Sequence, residues 1–365
     1  MEIVARRPQD LTAAETAAWA ALHQKEPHLR HPSLAPGLAV VAAETLGNAE
    51  VGVIAEDGEP VGFFPYDRDR GDVGAPLVAP MTDRQAFIAR PGLAIDAPTL
   101  LRGCGLSAWR FDHLAVPPPP APDPFAPHVR EWDDAFEVDL TGGFDAYVAR
   151  GSVASFVRQT DRKARKLARE VGPVRFEFRV EDDAVFDRLI RDKQVQLGRQ
   201  GLRDQFADES LVKMLRRVHR TFEPAGTSAG TSADGAEAGP AFAGVLSVLW
   251  AGDEPAATHL GLWAGEEFHS WIPAHSEVLH RYSPGAVLHL EMLREAARRG
   301  VTTVDLGRGG NPLKQRLASR RRPLGIGSAD LRAWGRATSS ARRWLGAVPM
   351  ARRTRRALRR WRARS

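Results

Sequence analysis

The sequence has a single cysteine among its 365 residues, Cys104. One cysteine excludes both an internal disulfide and a thiolate metal cluster. Cys104 lies between two glycines with no histidine beside it, which disfavours a nucleophile activated by a neighbouring base. Two histidine pairs are close in sequence, His28 with His31 and His269 with His275. Neither pair is accompanied by the carboxylate or thiolate ligands that a metal site needs, so no metal is expected.

Long apolar runs are also missing. No stretch approaches the roughly 20 apolar residues that span a bilayer, and the N-terminus lacks the apolar segment of a signal peptide. Hydrophobic residues nevertheless make up 43% of the chain, as in globular proteins. A chain of this length can form two ordinary domains with real cores. We therefore expect a globular, cytoplasmic protein.

Acidic residues and lysine are absent from the C-terminal end. From Leu331 onward there are twelve arginines, so removing twelve charges from the net +6 leaves −6 for residues 1–330. The basicity therefore resides in a tail, residues 331–365. Tryptophans among its arginines favour peripheral contact with an anionic membrane surface. Non-specific contact with nucleic acid and a solvated end are the alternatives, and no specific nucleic-acid partner is expected.

The order of the predicted elements divides the chain into two α/β (α+β) halves. We assign residues 1–135 to an N-terminal domain and residues 136–330 to a C-terminal domain. A hairpin over 53–60 in the first half resembles one over 248–255 in the second, which is modest evidence for a duplication. Residues 225–240 are of low complexity and predict a flexible surface loop.

The second half shows the clearer periodicity. Its apolar spacing predicts a helix over 152–170, strands over 243–250, 256–263 and 267–273, a helix over 285–299 and a strand over 301–306. The first of these helices carries arginines on one face, at positions 158, 162, 165 and 169. Arg158 and Arg162 are candidates for binding an anionic acceptor, such as a nucleotide sugar or a lipid-linked glycan phosphate. A solvated helix face is the alternative.

Two glycine-bearing turns stand out around the helix over 285–299. Gly285 at the helix start allows close approach to free backbone N–H groups, which with the helix dipole can hold an anion. Arg281 adds positive charge there. Gly307 and Gly309 follow the next strand, and Lys314 lies just beyond, where it could meet a phosphate. The glycines do not form a dinucleotide fingerprint, because the long crossover is missing.

These turns carry a family resemblance. The run comprises Trp271, Pro273, Arg281-Tyr282-Ser283-Pro284-Gly285, Asp305-Leu306-Gly307-Arg308-Gly309 and Lys314. It resembles the GNAT-superfamily acetyltransferases of the cellulose-biosynthesis (CelD-like) type, which are related to the Fem aminoacyl transferases. The likeness covers most of residues 30–330. Two positions depart from the family pattern, since Leu313 stands where a tyrosine is usual and His275 where an aspartate is frequent.

The resemblance implies two tandem GNAT-like domains, each a mixed, largely antiparallel sheet flanked by helices. It implies an acyl donor, acetyl-CoA or another acyl-CoA, whose arm lies where the strand before the glycine-start helix splays from the next strand. The implied donor-binding residues are Trp271, Arg281, Ser283, Gly285, Ala286, Gly307, Gly309 and Lys314. Asp83 and Gln85 match the part of the family pattern that would bind the acceptor.

Acyl transfer from a thioester needs a positioned amine or hydroxyl, a proton acceptor and polarisation of the carbonyl. No Gly-x-Ser-x-Gly elbow is present, so we expect direct attack. The candidate bases are His259, His269, His275 and Asp305. His259 is the first choice among the histidines, because it lies inside a predicted central strand. Asp305 could instead hold loop backbone N–H groups or Arg308.

Three functions remain open at this stage. The first is transfer of an acyl group from acyl-CoA to an amine or hydroxyl of an exopolysaccharide or cell-envelope precursor, a small-molecule or glycan acceptor. The second is a Fem-type reaction that uses aminoacyl-tRNA. The third is a degenerate, non-catalytic GNAT pair that serves as a scaffold.

Overall fold

The computed structural model describes residues 1–119, 121–151, 153–225 and 239–331. The predicted loop over 225–240 falls mostly outside these ranges, and the basic tail falls outside them from residue 332 onward. Loop flexibility and membrane contact by the tail therefore stay predictions. Within the described ranges, no helix is long and apolar enough to cross a membrane.

The first half is built from short helices and a run of strands. In chain order these are β1 (Glu2–Arg6), α1 (Ala13–Lys25), α2 (Pro36–Leu46), β2 (Ala49–Glu56), β3 (Glu59–Asp69), β4 (Val73–Ala75), β5 (Ile88–Ala89), α3 (Ala97–Gly103), β6 (Ala108–Leu114) and β7 (Val129–Asp139). Helix α1 begins at a capping box, in which Thr12 and Glu15 satisfy each other's backbone N–H groups. Helix α2 ends at Gly47 in the left-handed conformation.

The second half holds the longer elements. In chain order these are α4 (Gly143–Arg150), α5 (Ala154–Glu170), β8 (Val174–Glu177), α6 (Asp183–Arg199), α7 (Glu209–His219), β9 (Phe222–Glu223), β10 (Phe242–Ala251), β11 (Glu254–Ala264), β12 (Glu267–His275), α8 (Pro284–Arg298), β13 (Thr303–Arg308), α9 (Pro312–Leu317) and β14 (Arg320–Asp330). The predicted helices and strands of this half are confirmed to within a few residues. Strands β1 and β14 were not anticipated.

All main strands join one mixed sheet in the order β1-β2-β3-β4-β6-β14-β7-β13-β12-β11-β10-β8. Each half contributes an antiparallel run that ends in a parallel pair, β4 with β6 in the first half and β12 with β13 in the second. A helix connects the two parallel strands in both cases, α3 and α8 respectively. The sheet is therefore two copies of one topology, and the expected tandem α/β fold is confirmed.

The two copies exchange one strand. Strand β7 comes from the end of the first half but pairs with β13 of the second half, whereas β14 from the end of the chain pairs with β6 of the first. Strands β7 and β14 also pair with each other, at the centre of the sheet. The predicted boundary at 135 and 136 falls inside β7, at the place where the copies are interleaved.

The repeated hairpin is a second sign of duplication. In the first half Ala55 pairs with Pro60 after a register shift, and in the second half Trp250 pairs with Pro255 after a matching shift. The halves also share a core, since the largest apolar cluster joins α1, α2 and β3 of the first half to α6, α7 and β10–β12 of the second. That cluster is packed against the face of the sheet on which the halves meet.

Candidate functional site

A gap opens between the parallel strands of the second half. Strands β12 and β13 pair only over Glu267–His269 and Thr303–Asp305, after which both strands continue without pairing to each other. A bulge marks the point of divergence. His269 pairs with Leu262 and Ile272 pairs with Leu260, so two residues of β12 stand opposite Gly261. We call the space between 270–275 and 306–308 the splay.

Helix α8 begins beside the open end of the splay. Its first turn follows Ser283, which has a left-handed φ of 54°, and no side chain in the described part of the chain caps it. The Lys163 ammonium of α5 donates to the Ser283 hydroxyl at 2.8 Å, and Arg281 is exposed nearby. Glycine at 285 leaves room for a ligand, since an added Cβ would approach the His275 ring only to 3.7 Å. Backbone N–H groups, the helix dipole and two cations suit a phosphate.

The carboxylate of Asp83 reaches the other end of the splay from the first half. Its two oxygens lie 3.4 Å from His113 Nε2 and 3.4 Å from His269 Nε2. Burial alone would raise the pKa of Asp83, but the hydrogen bond from His269 and the charges of His113 and Lys314 hold that pKa well below its usual range. A quarter of the side chain, 26%, remains exposed. Asp83 is therefore an ionised carboxylate that a substrate can reach.

Gly307 and Lys314 border this carboxylate. A Cβ added to Gly307 would lie 2.5 Å from Asp83 Oδ2 and 3.3 Å from Lys314 Nζ, and Gly307 has a φ of 76°. Only glycine fits both the conformation and the space. Lys314 Nζ donates to the Arg308 carbonyl at 2.9 Å. Burial lowers the pKa of Lys314, and the Asp83 charge opposes that shift.

Gln85 is the second residue predicted to bind the acceptor, and it is connected to Asp83 indirectly, through Asp112 and His113. Its amide donates to Asp112 Oδ1 at 2.8 Å, and its carbonyl oxygen accepts the backbone N–H groups of Asp112 and His113. Asp112 in turn contacts His113 Nδ1 at 2.8 Å. Gln85 therefore fixes the histidine that holds Asp83.

Asp305 is buried, with a side-chain exposure of 2%, and forms ion pairs. It accepts from the Arg84 guanidinium and lies 3.3 Å from His31 Nε2, while its other oxygen accepts the Gly307 N–H at 2.5 Å. Burial would raise its pKa, yet Arg84 and His31 hold it well below the usual range. Of the two alternatives for Asp305, the contact with loop backbone is present, and Arg308 instead contacts Asp112.

His259 is fully buried. Its Nε2 lies 3.1 Å from the Ser270 hydroxyl, which lies 3.3 Å from His289 Nε2. His289 Nδ1 in turn donates to the Gly285 carbonyl at 2.7 Å, at the start of α8. Burial, followed by the charge of His289, lowers the pKa of His259 well below its ordinary value, so the ring is neutral. The chain of side chains connects the donor end of α8 with the bulge of β12.

The remaining predicted residues divide into two groups. The Trp271 indole donates to the Met81 carbonyl at 2.7 Å and so ties β12 to the first half beside Asp83. Ser283, Ala286 and Gly309 lie in the two turns that border the splay, and Lys314 lies on α9 just beyond the second turn. Arg158 and Arg162 are exposed on α5, and that helix packs against α8 near Ser283. On α5, Lys163 contacts Ser283 at the start of α8, whereas Asp161 contacts Arg294 near the end of α8.

Sequence reasoning missed several residues of this region: Arg84, His113, Glu137, Lys163 and Lys193. Glu137 is nearly fully buried and bonds Arg84, Arg320 and Arg322, which ties β7 to β14. No local motif contains these residues, because their partners lie far away in the chain.

The fold also brings His31, His269 and Asp305 together, with one potential ligand atom of each within 4.8 Å of the others. This grouping was not visible in the sequence. The Arg84 guanidinium already neutralises the Asp305 carboxylate, which leaves a cation beside any ion that entered. We interpret the group as part of the ion-pair network between the halves.

A cavity of about 570 Å³ lies away from the splay, between α1, Glu223 and Ala241. Four of its ten lining residues are alanines, and His23 is one of its polar members. Burial lowers the pKa of His23 to about 4, so that ring is neutral. The cavity has none of the convergent cations of the splay.

Comparisons with known proteins agree with this geometry. Residues 155–315 match the family described as the acetyltransferase (GNAT) domain. That stretch runs from α5 to α9 and contains the whole splay. A search of curated proteins finds no match. Residues 155–315 therefore resemble a GNAT acetyltransferase domain.

Solved structures resemble the chain over almost its full length. The C-terminal domain of a candidate lysylphosphatidylglycerol synthetase from Agrobacterium fabrum is 14% identical, with 90% of this chain and 94% of that chain covered and a TM-score of 0.50. A conserved protein of unknown function from Bacteroides thetaiotaomicron is 9% identical, with 87% and 98% covered and a TM-score of 0.52. A tandem GNAT protein from the clavulanic acid biosynthesis pathway is 13% identical, with 91% and 97% covered and a TM-score of 0.48.

The fold thus consists of two copies of one topology, and the second copy contains the stretch that resembles the acetyltransferase (GNAT) domain. The CelD-like subtype is not distinguished by these likenesses.

Proposed function

We propose that the protein transfers an acyl group, acetyl in the simplest case, from acyl-CoA to an amine or hydroxyl of its acceptor. The observation that carries the proposal is the splay itself, a gap between two parallel strands with an uncapped helix start at one end and an ionised carboxylate at the other.

The donor fits along this gap. Its pyrophosphate would occupy the start of α8 at Gly285, where Lys163 and Arg281 add positive charge. Its amide-bearing arm would lie against the free edge of β12 beyond His269. The thioester would then reach the bulge, within reach of Asp83 and Lys314. The ammonium of Lys314 polarises the thioester carbonyl in this arrangement.

Asp83 positions the acceptor. A carboxylate with so low a pKa is a weak base, so its main effect is to orient the attacking amine or hydroxyl and to stabilise the positive charge that develops on it. The nucleophile bonds to the carbonyl carbon, the C–S bond breaks and its electron pair goes to sulfur. The proton that the nucleophile loses is taken up by the thiolate, which leaves an amide or ester and a thiol.

The two residues predicted as catalytic have supporting roles in this proposal. Asp305 holds the Gly307 N–H and Arg84, and thereby the loop that borders Asp83. His259 acts through Ser270 and His289 on the start of α8. Complete burial keeps both side chains away from an acceptor.

For the acceptor, we propose a sugar or amine of an exopolysaccharide or cell-envelope precursor. The exposed arginines of α5, which include Arg158 and Arg162, suit a phosphate-bearing molecule of this kind. The same exposed positive charge also favours a second candidate, a Fem-type transferase whose donor is the larger polyanion aminoacyl-tRNA.

Donor binding is the first experiment. The melting temperature of the full chain should rise with acetyl-CoA, because a ligand at 100 times its Kd adds about 2.7 kcal/mol of stability. The double variant K163M/R281M should show a smaller rise, and K213M, which changes an exposed lysine on α7, should match the wild type. No rise at millimolar acetyl-CoA would contradict the acyl-CoA proposal, and a rise with aminoacyl-tRNA alone would favour the second candidate.

A further inference from the structure

Lys193 of α6 lies in the splay and has no role in the function proposed so far. Its ammonium donates to the Pro273 carbonyl of β12 at 3.1 Å. The Ser276 N–H bonds to the Ala256 carbonyl, so Ala256 and Ser276 form a hydrogen-bonded pair of the β11–β12 ladder. Hydrogen-bonded and non-hydrogen-bonded pairs alternate along an antiparallel ladder, so His259 and Pro273 form a non-hydrogen-bonded pair. The Pro273 carbonyl therefore points away from β11 and into the splay.

The charge of Lys193 is not matched by a neighbour. Within the described ranges, no carboxylate lies at ion-pair distance from its Nζ, and the charge that acts on its pKa is that of another cation, Lys314. Burial, and secondly that like charge, lower the pKa of Lys193 to about 8. Lys314 itself donates only to a backbone carbonyl. Two poorly solvated ammonium groups therefore share one opening at a cost in stability.

The hydrogen bond to Pro273 does not explain this charge. Gln196, one helical turn further along α6, donates to the next outward carbonyl, that of His275, at 3.2 Å. A neutral amide thus serves the same structural purpose. An uncompensated cation at a cleft indicates instead a negative charge that arrives with a ligand.

We propose that Lys193, together with Lys314, binds a carboxylate or phosphate group of the substrate inside the splay. The group is carried either by the acyl chain of the donor, as in a dicarboxylic acyl thioester, or by the acceptor. The donor pyrophosphate does not supply this group, because the cations proposed to bind it, Lys163 and Arg281, lie at the start of α8. This inference rests on the proposed function in one respect, that the splay is the site of transfer.

The experiment uses the full chain and calorimetric titration with three probes. Succinyl-CoA and acetyl-CoA differ by one carboxylate in the acyl chain, and inorganic phosphate is titrated into protein saturated with acetyl-CoA. If the acyl chain carries the charge, the wild type binds succinyl-CoA at least about tenfold more tightly than acetyl-CoA. If the acceptor carries it, phosphate binds to the acetyl-CoA complex instead.

In either case we expect K193M to lower the affinity for the charged probe, succinyl-CoA or phosphate, by about tenfold. The Kd for acetyl-CoA should stay within about twofold of the wild-type value. K193R restores part of the effect, and K213M behaves as the wild type. No succinyl preference together with no phosphate binding in the wild type would overturn the proposal, as would equal results for K193M and the wild type.

Stability separates this role from a structural one. Because K193M and K193Q remove a half-buried charge that lacks a partner, each should keep or raise the melting temperature at pH 7 without ligand. A lower melting temperature in both variants would mean that Lys193 is structural and would overturn the proposal. Failure of acetyl-CoA to bind the wild type would count against the proposed function alone, since phosphate binding to the free protein still tests Lys193.

Discussion

The two halves contain the same strand–helix–strand unit, but only one of them is open. Helix α3 of the first half has seven residues, and the Asp96 carboxylate caps its first turn by accepting the Thr99 N–H at 2.7 Å. Helix α8 of the second half has fifteen residues and starts at Ser283, with no capping side chain among the residues described. A negative charge is built into the start of the first helix, whereas the start of the second has no such group among the residues described.

The surroundings of the two units also differ, in how closely their side chains are packed. An aromatic cluster packs against β3 and β6 of the first half, made of Phe64, Tyr66, Trp109, Phe111 and Phe125. The splay of the second half is bordered instead by the charged side chains of Asp83, Lys193 and Lys314. The first copy thus has a packed aromatic cluster and delivers Asp83, whereas the second has an opening between its parallel strands.

The largest expected effect is a difference in stability between variants of two buried carboxylates, Asp67 in the first half and Asp305 in the second. D305N should destabilise the protein by about 3 kcal/mol, because it leaves the Arg84 guanidinium with only part of its compensating charge. D67N in β3 should not destabilise at pH 8, since Asp67 has no ionic partner in the described part of the chain. Urea unfolding of both variants measures the difference, and equal losses would contradict it.

The next effect concerns the reaction. D83N should lower the rate of acyl transfer by about 10²–10³-fold, as for the loss of a group that stabilises transition-state charge. The acetyl-CoA Kd should stay within about twofold, because Asp83 lies away from the phosphate site. D96N, at the cap of the closed copy, is the matched control and should keep full activity. A D83N enzyme of normal rate would remove Asp83 from the mechanism.

The pH dependence of stability is a further test of the difference between Asp67 and Asp305. Burial raises the pKa of Asp67 from 3.8 to about 7. The stability cost of ionising it in the folded state is therefore absent below about pH 4, grows as the pH rises and is complete above about pH 7. The gain in stability of D67N over the wild type should grow across that range to about 1–3 kcal/mol. A gain that does not change with pH would refute the assignment.

A smaller effect tests the helix start. G285A should raise the stability of the free protein by up to about 1 kcal/mol, because alanine is the better helix residue and its methyl has room. The same methyl would meet the donor's pyrophosphate and weaken acetyl-CoA binding about tenfold, or about 1.4 kcal/mol. G198A in α6, also without close neighbours, should stabilise without altering binding. Unchanged affinity in G285A would place the pyrophosphate elsewhere.

The smallest effect tests the closed copy. D96A should cost about 1 kcal/mol of stability through loss of the N-cap. Donor binding and transfer should be unaffected, as measured by titration and steady-state kinetics. A change in the acetyl-CoA Kd would show that the first half also has a donor site.

Much of the fold was predictable because its signals are local. The hairpins of both halves, the helix that begins at Gly285 and the strand that ends at Gly307 follow from turn residues and apolar spacing. Strand β14 was missed because Arg320–Arg322 make it look like polar loop. Those arginines are paired with Glu137 of β7, about 180 residues away, and no local pattern contains that information.

The sequence by itself determined the two turns that border the splay, since only glycine can provide the conformation of Gly307 and the free approach at Gly285. The tertiary structure decided what faces those turns. Asp83 meets His269 only because two copies of the sheet are joined through β7 and β14. Lys193 meets Pro273 because α6 packs against β12 of the same half. Backbone conformation is set within a few residues, whereas a charged site is set by whichever distant side chains the packed fold brings together.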